Sequence, residues 1–443
     1  MRPGLSWGER PVVRAFQLFQ VMRQGAALLG AVLVTKSALP LEGIGVYEQY
    51  LYIQYALTFF WLTGLVQGLL SWASKAPAEK QLASLRGAWL CLLGLSLLAA
   101  LLLGIGKASL LDILIGRPDL PWTGMFLVSM VLNTSAFLVE YVLLLREKAR
   151  ALVWYGLFVL LGSLMAIWVP LSMGQGIPGI FSGLTFLGIA KQGYLWWLLW
   201  GSRRGNPVEW TDMRTWLLLS LPLVLYTFVG GLMPSVNAWI LGHAFAGDPG
   251  WFALFRYGTR EIPLTVALCE ALNAAFIPVL TKDFIGGLAY VRKRTEQFLH
   301  LVFPLSCVLV LSSGWWFPMV FNPDFSESAL LFNLFSLVLL SRAFFSKALL
   351  IALNDNRWVL LISVGELLLL GMLGLLLVPR WGLSGLVWAN VGAYSFEKAA
   401  QVWRLYFAHG VNPGQFVPFA WLAGYALALI ACIYGSGLLS GAG

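Results

Sequence analysis

Gly382-Leu383-Ser384-Gly385-Leu386 stands 206 residues after Gly176-Ile177-Pro178-Gly179-Ile180, and each stretch opens a long apolar run. Upstream, Gly250-Trp251-Phe252 follows Gly45-Val46-Tyr47 at an offset of 205 and again leads into an apolar run. Two nearly equal offsets over matched runs read as a duplication within the 443 residues. A helix needs roughly 20 apolar residues to cross about 30 Å of hydrocarbon. Thirteen runs of that length are expected, near 14–39, 48–72, 84–106, 121–145, 151–172, 178–201, 213–241, 250–280, 296–320, 327–353, 357–378, 383–408 and 415–438. The first twelve divide six and six. Because six is even, both repeats enter the membrane from the same side, related by an axis along its normal. The expected fold is all-α: a polytopic membrane protein of two six-helix lobes, 1–205 and 206–410, in a parallel pseudo-twofold repeat. An extra C-terminal transmembrane span occupies 411–443.

Composition agrees. The chain is 59% apolar and 11% charged, with mean hydropathy +0.79, whereas soluble domains carry about 25% charged residues. Loop charges alternate along the chain. One side collects eighteen Lys and Arg, among them Arg2, Arg10, Lys75, Arg146, Lys148, Arg203, Arg204, Arg292, Lys293 and Arg294, against Lys107, Arg117 and Arg380 on the other. The positive-inside rule then places the N-terminus in the cytoplasm. The net charge of +9 follows from this loop bias, so nucleic acid is not an expected partner. Met1 to Arg14 is polar and basic and the first apolar run is of spanning length, so no cleavable signal peptide is expected.

Enzymatic chemistry finds no foothold. Cys91, Cys269, Cys307 and Cys432 sit in apolar runs without paired spacing, and His243, His300 and His409 are scattered, so neither a metal site nor a disulfide frame is expected. No Gly-rich phosphate loop precedes a Lys-Ser/Thr pair, no paired carboxylates or Ser-His arrangement appears, and no connection is long enough for a catalytic domain. No cofactor is expected.

The chemistry lies in charges inside the spans. Arg23, Lys36, Lys191, Arg256, Arg260, Arg342, Lys347 and Lys398 all fall within apolar runs. A cation at mid-membrane costs roughly 2.5–3.5 kcal/mol on insertion scales, so each needs water, an acid or an anionic ligand. Arg256 and Arg260 would lie about 40° apart on one face of a continuous helix, where like charges repel and a shared anion is required. That anion is either an acid of another span or a bound ligand. Glu270 returns to the same side, and Glu261 points about 100° away; both are coupling or pairing acids. Glu397 with Lys398, and Arg342 and Lys347 with Glu140 and Glu366, read as pairs within lobes. Lys191 holds the repeat-equivalent position of Lys398. Intramembrane acids also allow proton or sodium coupling.

Three stretches carry a family resemblance: Leu41-Glu42-Gly43-Ile44-Gly45-Val46-Tyr47, Val378-Pro379-Arg380-Trp381-Gly382-Leu383-Ser384-Gly385-Leu386-Val387-Trp388-Ala389, and the passage from Arg342 to Leu353-Asn354-Asp355-Asn356-Arg357. In these and in its layout the chain resembles the polysaccharide and O-antigen flippases of the multidrug/oligosaccharidyl-lipid/polysaccharide exporter superfamily. The resemblance implies a cleft lined by spans one, two, seven and eight, worked by alternating access. A polyprenyl-pyrophosphate-linked oligosaccharide would turn over there from the cytoplasmic to the outer leaflet of a bacterial inner membrane. Arg256, Arg260, Lys36 and Arg23 would then line a cationic cavity, and Gln49, Gln54, Asn237 and Asn273 would meet sugar hydroxyls. Implied partners are membrane lipids and polysaccharide polymerase or glycosyltransferase machinery. A thirteenth span departs from the usual twelve, and the lipid II flippase branch usually has two further helices. The alternative within the superfamily is a cation-coupled multidrug or small-molecule antiporter. That branch often carries an acid on its first span, where this chain has only Arg23 and Lys36.

Overall fold

The computed structural model describes residues 11–73, 78–200 and 210–440; Arg2, Arg10, Lys75, Arg203 and Arg204 lie outside them. Every regular element among the described residues is helical, and 11 helices are long and apolar enough to cross a membrane. Side chains such as Leu101, Leu102, Ile105 and Ile285 stand exposed along these helices. An outward-facing apolar surface of this kind suits lipid, in which only backbone satisfied within its own helix can be tolerated.

The chain packs as two compact units, Met1–Gly231 and Leu232–Gly443. The first holds α1 (Pro11–Thr35), α2 (Leu41–Ala73), α3 (Ala78–Ile105), α4 (Lys107–Ile115), α5 (Thr123–Ser135), α6 (Leu138–Leu145), α7 (Ala149–Ser172), α8 (Gly176–Trp200) and α9 (Trp210–Gly230). In the second are α10 (Leu232–Ala244), α11 (Pro249–Gly258), α12 (Pro263–Lys282), α13 (Phe284–Leu311), α14 (Ser313–Val320), α15 (Ser326–Phe335), α16 (Val338–Arg342), α17 (Ser346–Ala352), α18 (Asn356–His409) and α19 (Phe419–Ser440).

The duplication is written into the helix boundaries. α3 and α13 both begin and end 206 residues apart, each followed at once by a short helix, α4 or α14. Left-handed backbone recurs as well: Glu147 (φ 53°) matches Asn354 (φ 59°), and Gly176 (φ 61°) matches Gly382 (φ 57°). Gly382 breaks α18 into two helices in series, which accounts for the eleventh and twelfth expected spans within one 54-residue element. The glycine stretches first read as a repeat therefore mark turns whose backbone disfavours a side chain.

Several expected spans differ in form: the fourth breaks into α5 and α6, the tenth into α15, α16 and α17, and three more change as follows. The seventh divides at Gly231 into α9 and α10, so the boundary between packed units falls at 231/232, whereas the repeat boundary was placed at 205/206. The eighth is interrupted from Thr259 to Ile262. Pro263 opens α12, a first-turn position where its missing N–H costs nothing. The ninth starts at Phe284, where the Asp283 side chain accepts from Gly286 N at 3.0 Å, so Arg292, Lys293 and Arg294 lie on helix and not in a loop.

In the first unit α9 is seated on α2 with almost no side chain between them. A Cβ on Gly64 would stand 2.5 Å from the Val224 backbone, and one on Gly68 would collide with Ser220. Trp216 Nε1 donates to Leu65 O at 3.1 Å, Thr227 Oγ1 to Phe60 O at 2.7 Å and Tyr55 OH to Gly231 O at 3.0 Å. This is small-residue packing, in which close backbone approach replaces the hydrophobic driving force that lipid removes. Gly64→Ala should therefore destabilise the purified protein by about 1–3 kcal/mol, as overpacking does. Gly94→Ala, where a Cβ meets nothing within 4 Å, should be neutral or stabilising by up to about 1 kcal/mol. Thermal unfolding of both variants in detergent checks the contrast.

Candidate functional site

Interior charges in the first unit gather where α5 gives way to α6. Arg23 Nη1 of α1 donates to Glu140 Oε1 at 2.8 Å, and Nη2 to Gln20 Oε1 at 2.5 Å. The guanidinium also lies over the Phe137 and Phe19 rings, 5.1 and 5.9 Å from their centroids. Lys191 of α8 meets no acid; its Nζ donates to Asn133 Oδ1 at 3.0 Å. Gln192 Nε2 donates to Leu132 O at 2.8 Å and to Ser135 Oγ at 2.5 Å, which satisfies polar atoms at the end of α5.

Interior charges in the second unit form two groups. Glu261, in the link between α11 and α12, receives both arms of a fork from Arg342: Nη2 to Oε1 at 2.5 Å and Nε to Oε2 at 3.1 Å. Bidentate geometry makes this a strong class of ion pair. Further along, Ser346 Oγ donates to Gln401 Oε1 at 2.8 Å, Gln401 Nε2 to Glu397 Oε1 at 2.7 Å, and Lys398 Nζ lies 2.6 Å from Glu397 Oε2. Glu366 is buried near this chain, and its Oε1 has no hydrogen-bond partner.

The Glu397–Lys398 pair matches the sequence reading. Arg342 and Glu140 are indeed paired within their units, but their partners are Glu261 and Arg23, not Glu366 or each other. Helix breaks move charges off the phase that a continuous helix would give, and this misled the reading of span eight. Arg256 lies in the last turn of α11 and is exposed, while Arg260 lies beyond that helix. The two therefore do not share one helical face. Arg260 instead lines a cavity of about 40 Å³ with Glu261, Thr265, Ser306, Ser336 and Arg342. Its Nη1 is buried without a hydrogen-bond partner, as are Thr265 Oγ1 and Ser306 Oγ. Nothing in the sequence singled out those two hydroxyls, which are ordinary residues of apolar runs.

The remaining candidates are dispersed. Lys36 and Glu270 are exposed, Gln49 is buried and Gln54 half-buried. Asn237 and Asn390 exchange amide hydrogen bonds at 3.0 and 2.9 Å, and Asn273 Nδ2 donates to Cys269 O at 3.0 Å.

The Leu353-to-Arg357 stretch is a clamp. Asn354 turns the chain in the left-handed region, and Asp355 then accepts from Arg404 Nε at 2.8 Å and from His409 Nε2 at 2.9 Å. Burial pushes the Asp355 carboxyl up, but the bonds from Arg404 and His409 outweigh it and hold the group below its usual value of 3.8. A carboxyl depressed in the folded state stabilises above its unfolded pKa, and that contribution fades as pH falls through the folded value. The melting difference between wild type and Asp355→Asn should therefore be full at pH 7 and shrink below about pH 4. A difference that stays constant down to pH 3 would contradict the clamp.

No protein-family model matches the chain, and no curated protein matches it in sequence. Solved structures do. Lipid II flippase MurJ, in an inward closed conformation, aligns over 95% of this chain and 91% of its own, at 12% identity and a TM-score of 0.69. An inward-facing multidrug resistance MATE family transporter aligns over 89% and 98%, at 13% identity and 0.63. A MOP superfamily transporter from Pyrococcus furiosus, with a binding pocket described as reversed in polarity, aligns over 95% of each chain at 15% identity and 0.52. The chain is thus a polytopic, all-α membrane protein with the fold of the MOP-superfamily transporters.

Proposed function

We propose that this protein is a transporter that turns a polyprenyl-pyrophosphate-linked oligosaccharide from the cytoplasmic to the outer leaflet, by alternating access, for surface-polysaccharide assembly. It would work in the bacterial inner membrane with a cytoplasmic N-terminus, alongside polysaccharide polymerase or glycosyltransferase machinery. The observation that carries this reading is the Arg342 fork on Glu261. The antiporter alternative would use span acids for a cationic substrate; Glu261 is taken by its own unit, while Glu270 stays exposed. Glu140 and Glu397 are likewise held, by Arg23 and Lys398. Lys36 and Arg256 are exposed within apolar runs. A guanidinium or ammonium suits phosphate oxygens, so these two are assigned to the pyrophosphate. A lipid flippase is among the proteins that share the fold.

Deleting the gene in its host should abolish surface polysaccharide, and wild-type protein should restore it. A Lys36→Ala/Arg256→Ala double variant, present at wild-type levels in the membrane, should lower export at least tenfold. Full export by that variant would overturn the assignment, and drug resistance conferred by overexpression would favour the antiporter.

Glu366 is the group proposed to carry a coupling proton. A buried carboxylate oxygen without a hydrogen bond is costly unless the group is neutralised, and a proton does this. Glu366→Gln should keep the fold and remove the dependence of export on a pH gradient; unchanged dependence would exclude this residue.

A further inference from the structure

The cavity between the start of α12, α13, α15 and α16 has an electrostatic imbalance that the transport reading does not use. Around it stand Arg260, Arg342 and Glu261. Both Glu261 oxygens accept from Arg342, and no hydrogen bond joins Glu261 to the half-buried Arg260. Its guanidinium does rest near the Tyr257 ring, 5.5 Å from the centroid, but Nη1 faces burial without an acceptor. Two further donors converge there. Thr265 is 5% exposed and Ser306 is 1% exposed, and neither hydroxyl has a hydrogen-bond partner.

Three orphaned polar atoms around one hole are rare in native proteins and point to an occupant. The hole of about 40 Å³ has room for about three waters. A pyrophosphate with its lipid and sugars could not enter it. Water alone would satisfy the hydroxyls but would leave the positive charge of the half-buried Arg260 without an anion. The opening turn of the 20-residue α12, headed by Pro263, also contributes Ile262 and Thr265 to the wall. The positive end of that helix adds to the preference for an anion.

We infer that this cavity binds a small monovalent anion of the halide class, held by Arg260 Nη1 and the Thr265 and Ser306 hydroxyls. The ion neutralises Arg260 inside the second unit and braces α12 against α13. Arg260 is thereby a structural-ion ligand and not part of the lipid headgroup site.

Thermal unfolding of the full-length protein in detergent tests the inference, starting from chloride-free gluconate buffer at fixed ionic strength. Replacing gluconate by chloride or bromide should raise the melting temperature saturably. Arg260→Gln should abolish the rise, and Thr265→Val and Ser306→Ala should each weaken apparent halide binding severalfold. Bromide-soaked crystals should show an anomalous peak among the three side chains. A rise that is the same in Arg260→Gln, or that chloride and gluconate produce equally, would overturn the site. So would well-ordered density for water alone in bromide. Because no readout involves export, the result stands apart from the transport proposal.

Discussion

Hydrocarbon offers no water to answer a buried charge, and most features of this protein follow from that constraint. The protein meets it locally. Glu140 finds Arg23, Glu261 finds Arg342 and Glu397 finds Lys398, each within its own unit. Removing one member of such a pair strands the other, which is why buried pairs are costly to break even where they add little net stability. The same rule governs the backbone. Near the end of α5, the Gln192 side-chain amide donates to Leu132 O.

Much of the architecture was legible in the residues because length and periodicity carry it. Spanning runs and the repeat marked by the glycine stretches at Gly176 and Gly382 follow from patterns that a single strand of text preserves, whereas the left-handed backbone there does not. The Glu397–Lys398 pair was legible for the same reason, as adjacent residues of one run. The candidate site was less so. Arg256 and Arg260 were placed on one face by assuming an unbroken helix, and the interruption from Thr259 to Ile262 removes that phase relation. The partners of Arg342 and Glu140 lie 81 and 117 residues away in sequence. No spacing rule reaches that far. Thr265 and Ser306 gain meaning only from what they fail to touch.

The two kinds of position also differ in what they tolerate. Gly64 and Gly68 are fixed by geometry, since any added carbon meets α9. Lys36 and Arg256 are exposed, so packing does not dictate their identity.

The division of span seven at Gly231 has a consequence for how this protein could be taken apart. The obvious cut lies in the polar stretch 201–209, between the sequence repeats. A first fragment ending there would lack α9, leaving the glycine face of α2 open to lipid along Gly64 and Gly68. The second fragment would carry α9 as a helix whose closest partner had been left behind. A chain severed just after Gly231 would instead keep each packed unit whole. The repeat unit of the sequence and the packing unit of the molecule are therefore different objects.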